Sequence, residues 1–285
     1  MPRVACLTLP YHAHPFERAL EGIARAGYRY VGFGTKHQGA PVPDEGDKEE
    51  GKRLQALFRQ YGLEPVVLFA HSQFQPDLPI ERAVRMLEIA HELNIPEVNT
   101  LSFWGYRRFP DEPLPQEEYD ALNERYVARY RELAGIAEKL GVTITIKPHT
   151  GNSATGPILL DTLRRIGSPF VKACYDPGNV GYYEGLDPED DFPAVAAETV
   201  SFVAKEQGTR GKACYDFSVP GEGAYDFLAM FKLMRVHGFD GPVIVEKLDR
   251  DGKPLDVGEI DRRAERARQN LERLLAEAGF KRMGG

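Results

Sequence analysis

Residues 143–150 read Thr-Ile-Thr-Ile-Lys-Pro-His-Thr, an apolar run that stops at a lysine, a proline and a histidine. The run predicts a buried strand. Pro148 has no N–H to donate to a neighbouring strand, so regular pairing is predicted to end at Lys147. This strand end therefore brings an ammonium group and the imidazole of His149 to the same edge of a sheet.

The same unit, a short apolar run followed by a loop and an amphipathic helix, recurs along the chain. Apolar runs predict eight strands, at residues 4–9, 30–33, 65–70, 98–103, 142–147, 171–175, 200–205 and 243–246. Helices are predicted between them, including residues 116–140 and 192–198, with the last at about 260–278. Several strands are apolar on both faces, as expected when helices cover a sheet. Eight units in 285 residues predict an α/β fold, a (β/α)8 TIM barrel, forming one domain over residues 1–285.

The composition limits the classes of binding partner that we expect for this protein. A formal net charge of −7 without a basic stripe argues against a nucleic-acid partner. The apolar run near the start is too short to span a bilayer, so no membrane partner is expected. Three widely spaced cysteines without a CxxC pair indicate reduced thiols, which favours a cytoplasmic protein. The sequence leaves the oligomeric state open, including assembly of identical subunits.

Charged residues follow the last four predicted strands, where a barrel places its active site. After Lys147 come Asp176 at the end of the sixth strand, Lys205-Glu206 at the seventh and Glu246-Lys247 at the eighth. One interpretation is a catalytic constellation, and the other is a ring of structural salt bridges. Because neighbouring side chains alternate, only one of Glu246 and Lys247 can face the barrel axis.

Other polar and aromatic residues fall at the same predicted end. Five histidines follow strand ends, namely His12, His14, His37, His71 and His149. Arg210 and Lys212, after the seventh strand, are candidates for a clamp on a phosphate or carboxylate, or else belong to a solvated loop. Trp104, after the fourth strand, is either a stacking wall for a sugar or a packed rim aromatic.

Several short motifs occur in an order that carries a family resemblance. They are Gly27-Tyr28 with Tyr30-Val31, Asp176-Pro177-Gly178-Asn179, Lys205-Glu206, Gly221-Glu222-Gly223-x-x-Asp226-Phe227 and Pro242-Val243-Ile244-Val245-Glu246. With them the chain resembles, over nearly its whole length, the sugar phosphate isomerase/epimerase superfamily with its xylose-isomerase-like barrel.

The resemblance implies a site that this sequence matches only in part. Members commonly hold a divalent metal with a glutamate, an aspartate, a histidine and a glutamate from strands five to eight, and move a proton next to a carbonyl. Asp176 and Glu246 match, whereas Lys147 stands at the strand-five glutamate and Val203 at the strand-seven histidine. Both replacements disfavour a divalent metal, since neither side chain can ligate it.

A charge count suggests how the site works without that metal. The formal charges of Lys147, Asp176 and Glu246 sum to −1. The usual four ligands with a bound divalent ion also sum to −1, so we expect the Lys147 ammonium to take the place of the metal. A metal site rebuilt from His149 or His71 with Asp176 and Glu246 is the alternative.

The resemblance and these residues predict an isomerase or epimerase for a small sugar, sugar acid or sugar phosphate. The expected catalytic residues are Lys147, His149, Asp176 and Glu246. The expected substrate-binding residues are His12, His71, Trp104, Asn179, Lys205, Arg210 and Lys212. Two other hypotheses are a lyase or aldolase forming a Schiff base on Lys147 or Lys205, and a non-catalytic sugar-binding barrel. The sequence does not identify the substrate.

Overall fold

Eight parallel strands close into a barrel in the computed structural model, which describes residues 2–249, 251–253 and 255–281. The strands are β1 (Arg3–Leu7), β2 (Tyr30–Phe33), β3 (Glu64–Phe69), β4 (Glu97–Leu101), β5 (Thr143–Lys147), β6 (Val171–Tyr175), β7 (Thr199–Ala204) and β8 (Pro242–Val245). Each pairs with the strands before and after it in the chain, and β8 pairs with β1, where Val245 lies opposite Cys6. The predicted (β/α)8 barrel is confirmed.

Every strand except β6 is followed by a helix of ten residues or more. These helices are α1 (Phe16–Arg25), α2 (Glu50–Tyr61), α3 (Ile80–Glu92), α4 (Gln116–Leu140), α5 (Gly156–Ile166), α6 (Phe227–Val236) and α7 (Val257–Glu277). The helix predicted over residues 192–198 is wrong as one element, because that segment is two three-residue turns, Phe192–Ala194 and Ala196–Glu198. Val195, with φ of −119° and ψ of 0°, lies between the two turns and departs from the α-helical φ of about −63°.

Two short hairpins, which sequence periodicity did not predict, interrupt the connections at the C-terminal end of the barrel. One pairs Tyr106–Arg108 with Glu112–Pro113, and the other pairs Glu206–Gln207 with Phe217–Ser218. Strands of two or three residues are too short to show an alternating pattern. The segment 208–216 between the second pair carries Arg210, Lys212 and Tyr215 across this end.

The barrel interior is narrow and mostly apolar. It is filled by side chains from five strands, namely Ala5, Leu7, Val66, Val67, Phe69, Cys174, Val203 and Ile244. A second, larger apolar layer lies between the strands and the helices. No helix in the described part of the chain is long and apolar enough to cross a membrane.

One polar network lies inside the barrel, and we call it the Glu97 network. The Glu97 carboxylate, 4% exposed, accepts hydrogen bonds from the hydroxyls of Thr145 and Ser201, each at 2.6 Å. Asn99 Nδ2 in turn donates to Thr145 Oγ1 at 2.9 Å. Burial raises the pKa of Glu97 to about 7, although both hydroxyl bonds favour the carboxylate. Glu97 is therefore a buried acid with no ion pair to a basic side chain among the described residues.

Candidate active site

Four charged side chains meet where β5 to β8 end, and we call them the quartet: Lys147, Asp176, Lys205 and Glu246. Lys147 Nζ lies 3.0 Å from Asp176 Oδ2 and donates to Glu246 Oε1. Lys205 Nζ lies 3.0 Å from the same Asp176 oxygen and 2.8 Å from Glu246 Oε2. Each ammonium thus contacts both carboxylates, and the formal charge of the quartet is zero.

Strand alternation explains why these four side chains converge. Thr145, Cys174, Val203 and Ile244 point into the barrel, and each quartet residue follows one of them by two positions, on the same face. Glu246 joins the quartet, whereas Lys247 lies outside it, as alternation predicts. The charge count made from the sequence was incomplete, because it left out Lys205, whose ammonium brings the sum to zero.

Asn179 ties the quartet to the neighbouring strand ends. Its side-chain amide donates to the Pro148 carbonyl at 2.7 Å, and its oxygen accepts from Lys205 Nζ at 2.5 Å. The backbone N–H of Asn179 donates to Asp176 Oδ1 at 2.9 Å, so this carboxylate also caps the turn that follows β6. These bonds fix the position of Lys205 and the orientation of Asp176.

The quartet is buried, which decides its protonation. Burial opposes the charged form of Lys147, but attraction to Glu246 and Asp176 outweighs it and raises the lysine pKa above its usual range. Burial likewise opposes the charged form of Glu246, yet Lys147 and Lys205 hold its pKa below the usual range. Both groups are therefore charged at neutral pH.

Two of the five strand-end histidines lie beside this charge cluster. Burial and the positive charge of Lys147 lower the pKa of His71 and of His149 to about 3. Both imidazoles are therefore neutral at neutral pH. His71 Nδ1 is buried and has no hydrogen-bond partner within the described residues.

An aromatic group, which we call the aromatic rim, surrounds His149. The His149 ring lies 4.3 Å from the Tyr183 ring and 5.6 Å from the Trp104 ring, measured between centroids. Tyr106 and Phe109, from the first hairpin, pack against Trp104. Trp104 remains 46% exposed, so part of its indole is accessible to a ligand.

The two candidates for an anion clamp lie on the segment 208–216, where they contact neighbouring loops. Arg210 binds the carboxylates of Asp187 and Glu189, with Nη2 2.9 Å from Glu189 Oε1. Lys212 Nζ donates to the Tyr106 hydroxyl at 3.1 Å. The structure therefore does not bring them to the quartet, and Arg210 already has acidic partners.

A cavity of about 380 Å³ opens next to the quartet and reaches Glu246. Its walls come from the β1 end, the segment 208–216 and the chain after β8, and its lining includes Leu9, His12, Tyr215, Lys247, Asp249 and Leu255. His12 is exposed, and its Nδ1 lies 3.1 Å from the Leu9 carbonyl oxygen. This volume is in the range of small-molecule sites.

The residues present do not fit a divalent cation. Two ammonium groups already contact both Asp176 and Glu246, and a cation cannot share these oxygens with them at short range. Residues 2–249, 251–253 and 255–281 contain no group of three or more His, Cys, Asp or Glu side chains that could hold a metal. The alternative set of His149 or His71 with Asp176 and Glu246 is not assembled as a ligand cluster.

Some residues near the site were not predicted. Neither Tyr183, which contacts His149, nor Tyr215, which lines the cavity, was among the predicted site residues. Lys205 was predicted as a substrate-binding residue but was left out of the charge count, although it follows the inward-facing Val203 by two positions. Tyr215 lies on an irregular segment whose path no periodicity specifies.

Comparisons with known proteins agree with this architecture. The chain is 25% identical to an inosose dehydratase from Geobacillus kaustophilus, over 68% of this chain and 70% of that protein. Its fold is similar to that of a xylose isomerase domain protein from Alicyclobacillus acidocaldarius, with a TM-score of 0.75 and 20% identity over 98% of this chain and 100% of that one. It is equally similar in fold to a D-psicose 3-epimerase from Clostridium cellulolyticum, with a TM-score of 0.75 and 15% identity over 96% and 99% of the two chains.

The family assignment comes from a match along most of the chain. The profile of the family described as "Xylose isomerase-like TIM barrel" matches residues 20–277, which include all the barrel strands except β1. The chain belongs to the xylose isomerase-like TIM barrel family.

Proposed function

We propose that this protein is an enzyme that moves a proton next to the carbonyl of a small polyhydroxylated ketone, as an isomerase, an epimerase or a dehydratase. In this proposal the Lys147 ammonium stabilises the negative charge that develops on the carbonyl oxygen when the proton leaves. Fixed positive charge at such an oxygen is among the largest contributions to catalysis.

The observation that carries the proposal is the difference between the two lysines. An ammonium group has three N–H donors. Lys205 donates to Asn179 and Glu246 and also lies 3.0 Å from Asp176 Oδ2, so it contacts three acceptors. Lys147 contacts only Asp176 and Glu246 among the described acceptors, so one N–H is left for a substrate oxygen.

The surroundings of Lys147 suit a polyhydroxylated ligand. Neutral His71 and His149 can each donate and accept a hydrogen bond, and His71 Nδ1 is without a partner among the described residues. Part of the Trp104 indole is accessible, which favours stacking on a sugar ring. These groups support binding through hydroxyls.

The charge state of the lysines speaks against the Schiff-base hypothesis. Imine formation needs a neutral amine, which a lysine provides when its pKa is depressed. The carboxylates of the quartet raise the pKa of Lys147 instead. Lys205 contacts the same two carboxylates.

The names of two relatives guide the choice of substrate class. Inosose dehydratase and D-psicose 3-epimerase both denote reactions of polyhydroxylated ketones. Such a ketone can lose a proton from the carbon beside its carbonyl, and the fate of the resulting enolate then separates epimerisation, isomerisation and dehydration. We therefore assign the common step and leave the product to experiment.

The test measures that common step directly. The protein is incubated in D2O with D-psicose, D-tagatose or inosose, and NMR follows deuterium incorporation next to the carbonyl and any new product. We expect this deuterium incorporation (wash-in) with at least one ketone. We expect it also when the protein has first been dialysed against a chelator. Absence of wash-in with every ketone would refute the proposal.

A charge-balanced variant tests the role of Lys147. Lys147→Met with Glu246→Gln removes one charge of each sign and leaves the Lys205–Asp176 pair, so the protein is expected to fold. Wash-in should fall by about 100-fold or more. The matched control is Lys172→Met with Glu198→Gln, which removes a 2.7 Å ion pair from the barrel exterior and should leave wash-in unchanged. Retention of wash-in by the first variant would show that the site is elsewhere.

A further inference from the structure

The quartet supplies positive charge, but its carboxylates are poorly suited to accept a proton. Both carboxylates contact two ammonium groups, and the lysines hold the pKa of Glu246 below its usual range. A base with a strongly depressed pKa gives a small driving force for removing a proton from carbon. The proposed reaction therefore needs another proton-transfer group within reach of the cavity.

A second polar chain lines the same cavity beside Glu246. The Tyr215 hydroxyl accepts a hydrogen bond from Lys247 Nζ at 2.6 Å and donates one to Asp249 Oδ2 at 2.8 Å. Lys247 Nζ also lies 3.5 Å from Asp249 Oδ1. Lys247, Tyr215 and Asp249 all line the cavity. We call these three residues the Tyr215 relay.

The Tyr215 ring is held in place by packing on several sides. Phe217 contacts it edge to face at 4.8 Å between centroids, and the Lys247 ammonium lies 5.2 Å from its centroid. Gly252 approaches so closely that a Cβ at that position would lie 3.2 Å from the ring, and its φ of +73° also favours glycine. The hydroxyl is therefore fixed between its two partners while the residue remains 37% exposed.

Other ionisable residues of the cavity are less suited to this role. Lys253 is bound to Asp251 at 2.7 Å and is a cation. His12 is exposed at the cavity edge, with Nδ1 against the Leu9 carbonyl. Tyr215 keeps its proton at neutral pH, since burial and Asp249 raise its pKa above the usual range. A protonated phenol bonded to a carboxylate can pass one proton on while taking up another.

We propose that Tyr215 and Asp249 form the proton relay of this site, which rests on the function proposed above. The Tyr215 oxygen takes the proton from the carbon beside the substrate carbonyl as its own proton passes to Asp249. The electron pair of the broken C–H bond moves to the carbonyl oxygen, where Lys147 stabilises it. Return of the proton by the reverse path completes the cycle, so atoms and charges balance without a further reactant.

Lys247 acts as the positioning residue of the relay. Its ammonium donates to the phenolic oxygen and so directs the phenolic proton toward Asp249. The same ammonium lies 3.5 Å from Asp249 Oδ1, so it also holds the position of that carboxylate. The cavity thus meets the quartet at Glu246 and the relay at Tyr215, Lys247 and Asp249.

The test compares Tyr215→Phe and Asp249→Asn with the wild type in the D2O exchange assay, using D-psicose and inosose. Both substitutions keep the side-chain shape and remove only the transferable proton or its acceptor. We expect kcat for wash-in to fall by about 100-fold in each, with KM within about threefold, as for loss of general acid–base catalysis. The double variant should be no slower than either single variant, because the two residues act as one unit.

Matched controls are Tyr61→Phe on α2 and Asp240→Asn before β8, and neither should change kcat. A purely structural role for the relay would instead raise KM, or give effects that add in the double variant, and either result would overturn the inference. If both single variants keep wild-type kcat while the Lys147→Met with Glu246→Gln variant loses activity, the relay is wrong and the proposed function stands. If the wild type shows no wash-in, both proposals are refuted together.

Discussion

The barrel buries carboxylates at two levels and offsets the cost of burial in two different ways. In the quartet, the charges of Asp176 and Glu246 are balanced by two lysines. In the Glu97 network, the acid accepts hydrogen bonds from two hydroxyl groups, and burial raises its pKa to about 7. The charges of the quartet stay the same near neutral pH, whereas the charge of Glu97 changes with pH.

The difference predicts how each level contributes to stability across pH. The depressed pKa of Glu246 gives stability that is present above about pH 5 and lost in more acidic solution. The raised pKa of Lys147 gives stability that is present below about pH 10 and lost in more basic solution. The contribution of the quartet to stability is therefore constant from about pH 5 to 10. A change in the free energy of unfolding within that range is expected from the Glu97 network.

The largest effect should follow from breaking the charge balance of the quartet. Lys147→Met leaves two buried carboxylates with one lysine, and loss of one partner from a buried ion pair costs about 3–5 kcal/mol. Denaturant unfolding at pH 7 measures this loss. Lys172→Met is the control, because Lys172 is 30% and Glu198 38% exposed, and such a pair is worth less than about 1 kcal/mol. An equal loss of unfolding free energy in the two variants would contradict the conclusion that burial makes the quartet ion pairs more important than the exposed pair.

A somewhat smaller effect should appear in the Glu97 network, and it should depend on pH. The pKa of Glu97 is about 7 in the folded protein, above its ordinary value of 4.5. The stability from this group is therefore present below pH 4.5 and is lost as the pH rises through 7. The shift corresponds to about 3 kcal/mol. Glu97→Gln stays neutral, so it should match the wild type near pH 4 and exceed its stability by about 3 kcal/mol at pH 9. A constant difference at every pH would refute this interpretation.

The smallest effect should come from removing one hydroxyl of the same network. Ser201→Ala deletes the 2.6 Å bond to Glu97, which favours the carboxylate, so the pKa of Glu97 should rise further. We expect a loss of about 1–2 kcal/mol that is larger at pH 9 than at pH 5. Chemical denaturation at both pH values checks this. Thr199→Ser, where the hydroxyl bonds the Val195 carbonyl instead, is the control and should show no pH dependence.

Much of the fold could be predicted from the sequence because each strand repeats one pattern. Continuous apolar runs and intervening helices specify the barrel, and alternation from Thr145, Cys174, Val203 and Ile244 places the quartet. The charge sum made from the sequence was wrong only because it left out Lys205, although the same alternation places Lys205 in the quartet. The helix predicted over residues 192–198 failed because the backbone at Val195 departs from α-helical dihedral angles and separates two short turns.

The irregular segments were beyond sequence reasoning. The segment 208–216 has no hydrophobic period, so nothing in it indicated that Arg210 turns to Asp187 and Glu189 or that Tyr215 meets Asp249. These contacts depend on where three separate loops meet above the barrel. Sequence patterns specify positions on strands and helices, while loop contacts depend on the tertiary packing as a whole.

The neutrality of the quartet also bears on how such a site can evolve. The metal-binding set implied by the family resemblance carries one negative charge with its ion bound. Exchange of the strand-five glutamate for a lysine, which requires one base change in the codon, gives the same charge with no ion. One such exchange therefore removes the dependence on metal supply without changing the net charge of the site, and Lys205 brings that charge to zero.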